Sequence, residues 1–175
     1  VLSGQIYEAG IRPAPGVVLV HMLSRSRADW DGPAMVLQAL GVTALAVDLR
    51  GHGGSSGAAD LPDMVQDVRA AVQFLSGQQG VRPDRIGIAG ASLGANLALL
   101  AAASEPSIRA IAAVSPSLDY RGVRVGADTM RRIGERPVWL AASTEDPFAL
   151  RTIQDLAAGG SSAREQRLSP VAGHG

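Results

Sequence analysis

Arg85-Ile86-Gly87-Ile88-Ala89-Gly90-Ala91-Ser92-Leu93-Gly94-Ala95-Asn96 decides how this chain reads. A short apolar run leads into G-x-S-x-G, and an alanine- and leucine-rich segment follows at once. Strand, glycine-flanked serine and helix, in that order, are the setting in which this pattern puts a serine on a sharp turn. A serine hydroxyl is a poor nucleophile until a base takes its proton, and the turn lifts Oγ clear of the backbone toward such a base. Gly90 and Gly94 remove the Cβ atoms that would collide where the helix leaves the strand. In a chain with 21 glycines the pattern alone is weak, so the rest of the sequence must supply the partners.

Outward from Ser92 the sequence alternates. Val17–His21, Thr43–Leu49, Ile86–Ala89, Ile108–Val114, Pro137–Ala142 and a short Arg164–Leu168 read as strands. Helices are predicted from about Trp30 to Leu40, with Pro33 in its first turn, over Asp60–Leu75, Leu93–Ala103, Ala127–Ile133 and Phe148–Ala158. Asp60 and Pro62 are the predicted cap and first-turn residues of the second of these. Near-continuous apolar strands alternating with helices predict an α/β fold: a mostly parallel, doubly wound sheet covered on both faces. Residues 1–12 are expected to add an antiparallel edge strand or hairpin. Ligand sites of such sheets lie beyond the carboxyl ends of the strands.

Bulk properties exclude several classes. The 175 residues suffice for one domain, 1–175, with a proper core. Hydrophobic residues make up 46% and charged residues 18%, with no formal net charge, so neither nucleic acid nor an anionic membrane surface is favoured as partner. Every basic residue is arginine, which removes the phosphate-loop lysine and the lysine Schiff base. Without cysteine there is no thiol nucleophile and no thiolate metal site. No histidine pair has metal-ligand spacing, so no metal and no cofactor are expected. No apolar run approaches the length of a membrane span, and no signal peptide is visible, which favours a cytoplasmic location, with a processed or truncated start left open by the missing initiator methionine.

Three carboxyl-end loops complete a constellation. Ser143-Thr144-Glu145-Asp146-Pro147 offers an acid, Asp146 with Glu145 as competitor, and Pro170-Val171-Ala172-Gly173-His174-Gly175 offers a histidine on a glycine-flanked turn. His174 is placed to take the Ser92 proton and return it to a leaving group, and Asp146 to fix the imidazole tautomer. After the first central strand, His21-Met22-Leu23 can supply an oxyanion N–H from Leu23, or alternatively Met22, opposite the Leu93 N–H at its helix terminus. Met22 and Trp30 are candidate substrate-pocket residues; core packing explains Trp30 equally well. His21 and His52 read as structural hydrogen-bonding residues, and Ser55 and Ser56 as members of a glycine-rich turn.

Asp48-Leu49-Arg50-Gly51-His52-Gly53-Gly54-Ser55-Ser56 resembles the D-x-R-G-H-G-x-S segment of α/β-hydrolases. With Gly90–Gly94, Glu145-Asp146-Pro147 and Ala172–Gly175 in order, the chain resembles that superfamily from Val17 onward. It is most similar to the small, lidless esterase and dienelactone-hydrolase-like branch. That resemblance implies a Ser92–Asp146–His174 triad in the chain order of the fold. Dienelactone hydrolases proper use a cysteine nucleophile; Ser92 in its place shifts the expectation to ester hydrolysis. The resemblance also implies a final helix after the histidine loop, which is missing here, so the domain reads as truncated at its C-terminus. Between Ser115 and Pro137 there is no room for a cap, so an open site taking small-molecule, short-chain acyl esters is expected. Peptidase, perhydrolase and carbon–carbon hydrolase activities share the triad, and a non-catalytic hydrolase-fold binding module is the rival from another class. Oligomeric state is not encoded in any of these patterns.

Overall fold

The computed structural model describes residues 1–159, 164–171, 173 and 174. Runs of valine, leucine, isoleucine and alanine form β2 (Ala14–Val20), β3 (Thr43–Val47), β4 (Val81–Ala91), β5 (Ile108–Val114) and β8 (Val138–Ser143), and the more polar β9 (Arg164–Ser169) follows. All of these pair in parallel, and β1 (Gly4–Tyr7) adds an antiparallel edge against β3. Among the described residues the sheet has seven strands in the order β1-β3-β2-β4-β5-β8-β9. The chain moves outward from β2 to β3, then returns to lay β4 on the other side of β2. That reversal creates a crevice at the carboxyl ends of β2 and β4, the place where such sheets hold ligands. Val20 lies opposite Gly90 in the register, so the segments following each strand leave the sheet side by side.

The helices are α1 (Asp31–Ala39), α2 (Met64–Ser76), α3 (Leu93–Ser104), α4 (Ala127–Ile133) and α5 (Pro147–Ala158). One face of α2, with Met64, Val68, Ala71, Val72 and Leu75, is buried against the sheet. Helix α3 is buried almost all round: it is built from alanine and leucine, as a helix enclosed on every side must be. These two helices, α4 and α5 share the larger core cluster, while α1 covers a smaller one with Leu19, Ala34, Ala44 and Ala46. On that second face the small residues Gly87, Ala89, Ala110 and Ala112 leave an apolar groove of about 590 Å³ beside Trp139. No helix among the described residues is long and apolar enough to cross a membrane.

Some boundaries differ from those the sequence predicts. Helix α2 begins at Met64, not near Asp60, because Leu61 turns inward against the core and the Met64 N–H closes a turn on the Leu61 carbonyl. Pro62 belongs to that turn, and Asp60, just before it, accepts the Asp63 N–H at 3.4 Å instead of capping α2 directly. Strand β3 stops at Val47, short of the predicted Leu49, because the next two amides bond elsewhere: Asp48 N–H to the Ser3 carbonyl and Leu49 N–H to His21. Strand β4 starts five residues before the predicted Ile86, through Val81 paired with Ala14, and a register shift follows that pair. A small hairpin of β6 (Asp119–Tyr120) and β7 (Val123–Arg124), unforeseen in the sequence, fills the segment before α4.

Candidate active site

Ser92 occupies the junction of β4 and α3 with φ 51° and ψ −117°. That conformation is sparsely populated for a residue with a side chain and costs on the order of 1–3 kcal/mol. The surroundings hold it: its N–H donates to the Val114 carbonyl at 2.9 Å, and its carbonyl accepts from Ala95 N–H at 3.0 Å. The flanking glycines permit the packing. A Cβ on Gly90 would lie 2.1 Å from the Gly94 carbonyl oxygen, and one on Gly94 would lie 2.3 Å from the Val20 carbonyl oxygen. Strand, turn and helix are thus pressed together closely enough that only hydrogen fits at either position.

The structure brings Ser92, His174 and Asp146 together. Ser92 Oγ lies 2.8 Å from His174 Nε2, and His174 Nδ1 lies 2.5 Å from Asp146 Oδ2. A carboxylate can only accept, so Nδ1 carries the proton and Nε2 is free to accept from the serine. Asp146 is the N-cap of α5, where its second oxygen accepts the Ala149 N–H at 3.0 Å. Burial alone would raise the Asp146 pKa, but the hydrogen bonds from Ala149 and His174 outweigh it and hold the carboxyl below its ordinary value. Glu145 is exposed at the next position, and the carboxylate facing His174 belongs to Asp146.

Ser143, the last residue of β8, anchors this arrangement and was not legible as a site residue. Its buried hydroxyl donates to the Val171 carbonyl at 2.8 Å and accepts the Glu145 N–H at 3.1 Å, so one side chain joins the acid loop to the histidine loop. Thr144 N–H to the Ser169 carbonyl, at 2.9 Å, adds a backbone tie. Asn96 is a second missed residue, four positions after Ser92. Fully buried, it donates to the carbonyls of Ser117 and Val123 and accepts the Ser117 N–H, pinning the β6–β7 hairpin to the helix that carries the serine. A lone amide in an otherwise apolar helix was the available signal, since a buried amide must find partners.

The segment after β2 holds Met22 and Leu23. Among the described residues the Leu23 and Leu93 N–H groups have no acceptor within the protein. His21 is fully buried; its Nε2 accepts Leu49 N–H at 3.0 Å and its Nδ1 donates to the Met22 carbonyl at 2.6 Å. Burial, the largest influence, lowers the His21 pKa, and the nearby His52 adds to this against the hydrogen bond to Met22. His52 has the same tautomer: Nδ1 donates to the Arg50 carbonyl at 2.9 Å, and Nε2 accepts Ser24 N–H at 3.1 Å. Asp48, buried behind them, accepts the backbone N–H groups of Arg27 and Gly54 at 2.7 and 2.9 Å and pairs with the Arg27 guanidinium. Burial opposes its ionisation, but those donors prevail and keep its pKa below the ordinary carboxylate value. Ser55 and Ser56 serve the same turn, bonding to Asp48 and Ser3 and to the N-terminus respectively. Trp30 packs on the smaller core cluster and, with Met22, Pro33, Ala91 and Val114, lines a cavity of about 420 Å³ beside the serine turn.

A strained serine between two close-packed glycines, an imidazole on its hydroxyl and a carboxylate behind the imidazole are the parts of an α/β-hydrolase site, on the matching sheet. The family model described as serine aminopeptidase, S33, matches residues 12–158. The chain belongs to the α/β-hydrolase superfamily. The matched stretch takes in Ser92 and Asp146 and ends before His174. A polyketide transferase of Stachybotrys chlorohalonatus is 37% identical over 124 residues, 68% of this chain and 41% of that protein. A thiohydrolase of Aspergillus aculeatus is 30% identical over 152 residues, 82% of this chain and 47% of that protein. The chain therefore spans less than half the length of either relative. Among solved structures, a dienelactone hydrolase from Anabaena variabilis superposes with a TM-score of 0.80 at 20% identity, covering 99% of this α/β-hydrolase chain and 82% of its own.

Proposed function

We propose that this α/β-hydrolase is a serine carboxylic-ester hydrolase that works through an acyl-enzyme on small or short-chain acyl esters. The observation that carries this reading is the Ser92–His174–Asp146 hydrogen-bonded series, with Oγ 2.8 Å from Nε2. His174 accepts the Ser92 proton as Oγ attacks the carbonyl carbon, while Asp146 stays ionised and stabilises the imidazolium. The oxyanion of the tetrahedral intermediate accepts from the Leu23 and Leu93 N–H groups; losing one such donor typically costs on the order of 10²–10³ in turnover. His174 then returns the proton to the leaving alcohol, the alcohol departs, and a water deprotonated by His174 releases the acid. The short segment between β5 and β8, a two-stranded hairpin and one helix, supports an open site and soluble short-chain substrates.

The same acyl-enzyme serves a thioester, with a thiol as leaving group, and the likeness to a thiohydrolase favours this as the second reading. A fluorophosphonate probe is expected to label the wild type and not Ser92→Ala. A well-folded wild type left unlabelled would instead favour a non-catalytic binding module. Matched oxygen and sulfur esters of acetate and butyrate separate the two hydrolytic readings by their kcat/KM ratio. Faster turnover of long-chain triglycerides than of soluble short esters would refute the open-site reading.

A further inference from the structure

Ser24 stands in the left-handed region, with φ 61°, in a turn closed by Arg25 N–H on the Met22 carbonyl at 3.2 Å. A positive φ at the third position of a four-residue turn is the type II pattern, where glycine or asparagine is usual. Leu23, the proposed oxyanion donor, is the second residue of that turn. For a serine the conformation is unfavourable unless something holds the central peptide, and the structure contains the holder. Ser24 N–H, the amide of that peptide, donates to His52 Nε2 at 3.1 Å. His52 is itself oriented by its Nδ1–H on the Arg50 carbonyl, and its ring packs against that of His21 with centroids 5.2 Å apart. Arg50 is in turn fixed to Asp67 of α2 through its backbone N–H at 2.9 Å and its guanidinium. A continuous series thus runs from the core helix α2 through Arg50 and His52 to the turn bearing Leu23.

We propose that His52 is a positioning residue for the reaction: by anchoring the Leu23–Ser24 peptide it fixes where the turn lies, and with it Leu23, whose own N–H in the preceding peptide is the proposed oxyanion donor. This rests on the serine-hydrolase reading above. Without the Nε2 acceptor the central peptide can turn over and Ser24 returns to negative φ; the Leu23 N–H lies in the preceding peptide, so it is displaced through the shift of the turn as a whole. The contribution lies in the transition state, because only there does the carbonyl oxygen carry full negative charge.

The test uses the full chain with 4-nitrophenyl acetate. His52→Ala is expected to lower kcat about 10- to 100-fold with KM changed less than about two-fold, below the cost of losing an oxyanion donor outright. His52→Gln, whose side-chain oxygen can reach the same amide, should restore most of that loss. Hydrogen exchange at the Ser24 amide should quicken in His52→Ala and return toward wild type in His52→Gln. An unchanged kcat in His52→Ala, or equal damage in both variants, would overturn the proposal while leaving Ser92 chemistry intact. Nitrogen NMR of the wild type is independent of any variant's folding: protonation at Nε2 of His52 instead of Nδ1 would also overturn it. A wild type that neither hydrolyses esters nor reacts with the fluorophosphonate would remove the underlying reading, and the role of His52 with it.

Discussion

At the scale of single residues the candidate site depends on side chains of two kinds: the hydrogen-bonded Ser92, His174 and Asp146, and those that hold them in place. The first were legible. Ser92, Asp146 and His174 each occupy a recognisable local pattern, and their order along the chain sets them apart from His21 and Asp48, which also follow strands but serve structural hydrogen bonds. Ser143 was not legible, because its role lies in a partner 28 residues away and a serine closing a strand has no local signature. Its hydroxyl is nonetheless a buried side-chain tie between the acid and histidine loops. Ser143→Ala should cost about 1 kcal/mol of stability, the usual net worth of one hydrogen bond. The catalytic loss should be larger in proportion, about ten-fold in kcat, since small misplacements of a catalytic group cost up to 10². Steady-state kinetics beside a urea titration would separate the two effects. A variant that lost stability but kept full kcat would show that the backbone tie through Thr144 holds the histidine loop unaided.

At the scale of elements, strands β2, β3, β4, β5 and β8 were readable because a strand buried on both faces must be a continuous apolar run. The errors fell where tertiary contacts override local pattern. Leu61 turns into the core and delays α2, and the two-residue strands β6 and β7 are too short to show any period. Their hairpin is specified instead by Asn96, from inside the helix that follows Ser92. The junction of β2, β4 and α3 offers a test in which two elementary effects oppose each other. Helix propensity says that Gly94→Ala should stabilise α3 by about 1 kcal/mol. Sterics say otherwise: the new Cβ would sit 2.3 Å from the Val20 carbonyl oxygen and 2.7 Å from that of His21, both backbone atoms that cannot rotate away. Overpacking of this kind costs about 1–3 kcal/mol, so a net loss of stability is expected. Because the displaced atoms open the segment carrying Leu23, activity should fall at least about 100-fold, comparable to losing an oxyanion donor. A stable, fully active Gly94→Ala would mean that α3 can slide outward without disturbing that segment.

At the scale of the whole molecule, the three histidines adopt one arrangement, Nδ1 donating and Nε2 accepting, yet they differ in what protonation does. His21 is the buried case. Its Nε2 already receives the Leu49 N–H, so a proton there would set two donors against each other inside the core. Burial accordingly keeps its pKa in the fold below the ordinary value. In the unfolded chain a histidine takes up its proton near pH 6.5. Below that pH the unfolded state binds one more proton than the folded state at this position, so stability falls as pH falls. The loss begins near pH 6.5 and continues down to the lowered pKa of the folded state, at a slope approaching about 1.4 kcal/mol per pH unit. Asp48 and Asp146 are also more acidic in the fold, but their stabilisation is complete above the unfolded aspartate pKa of about 3.9 and is lost only below it. The two windows are therefore separable. Unfolding free energies measured from pH 7.5 to 4.5 should fall more steeply for the wild type than for His21→Gln, which keeps a donor and an acceptor but does not titrate. Parallel curves for the two proteins would show that His21 takes up its proton within the fold, and that the Leu49 and Met22 contacts tolerate it.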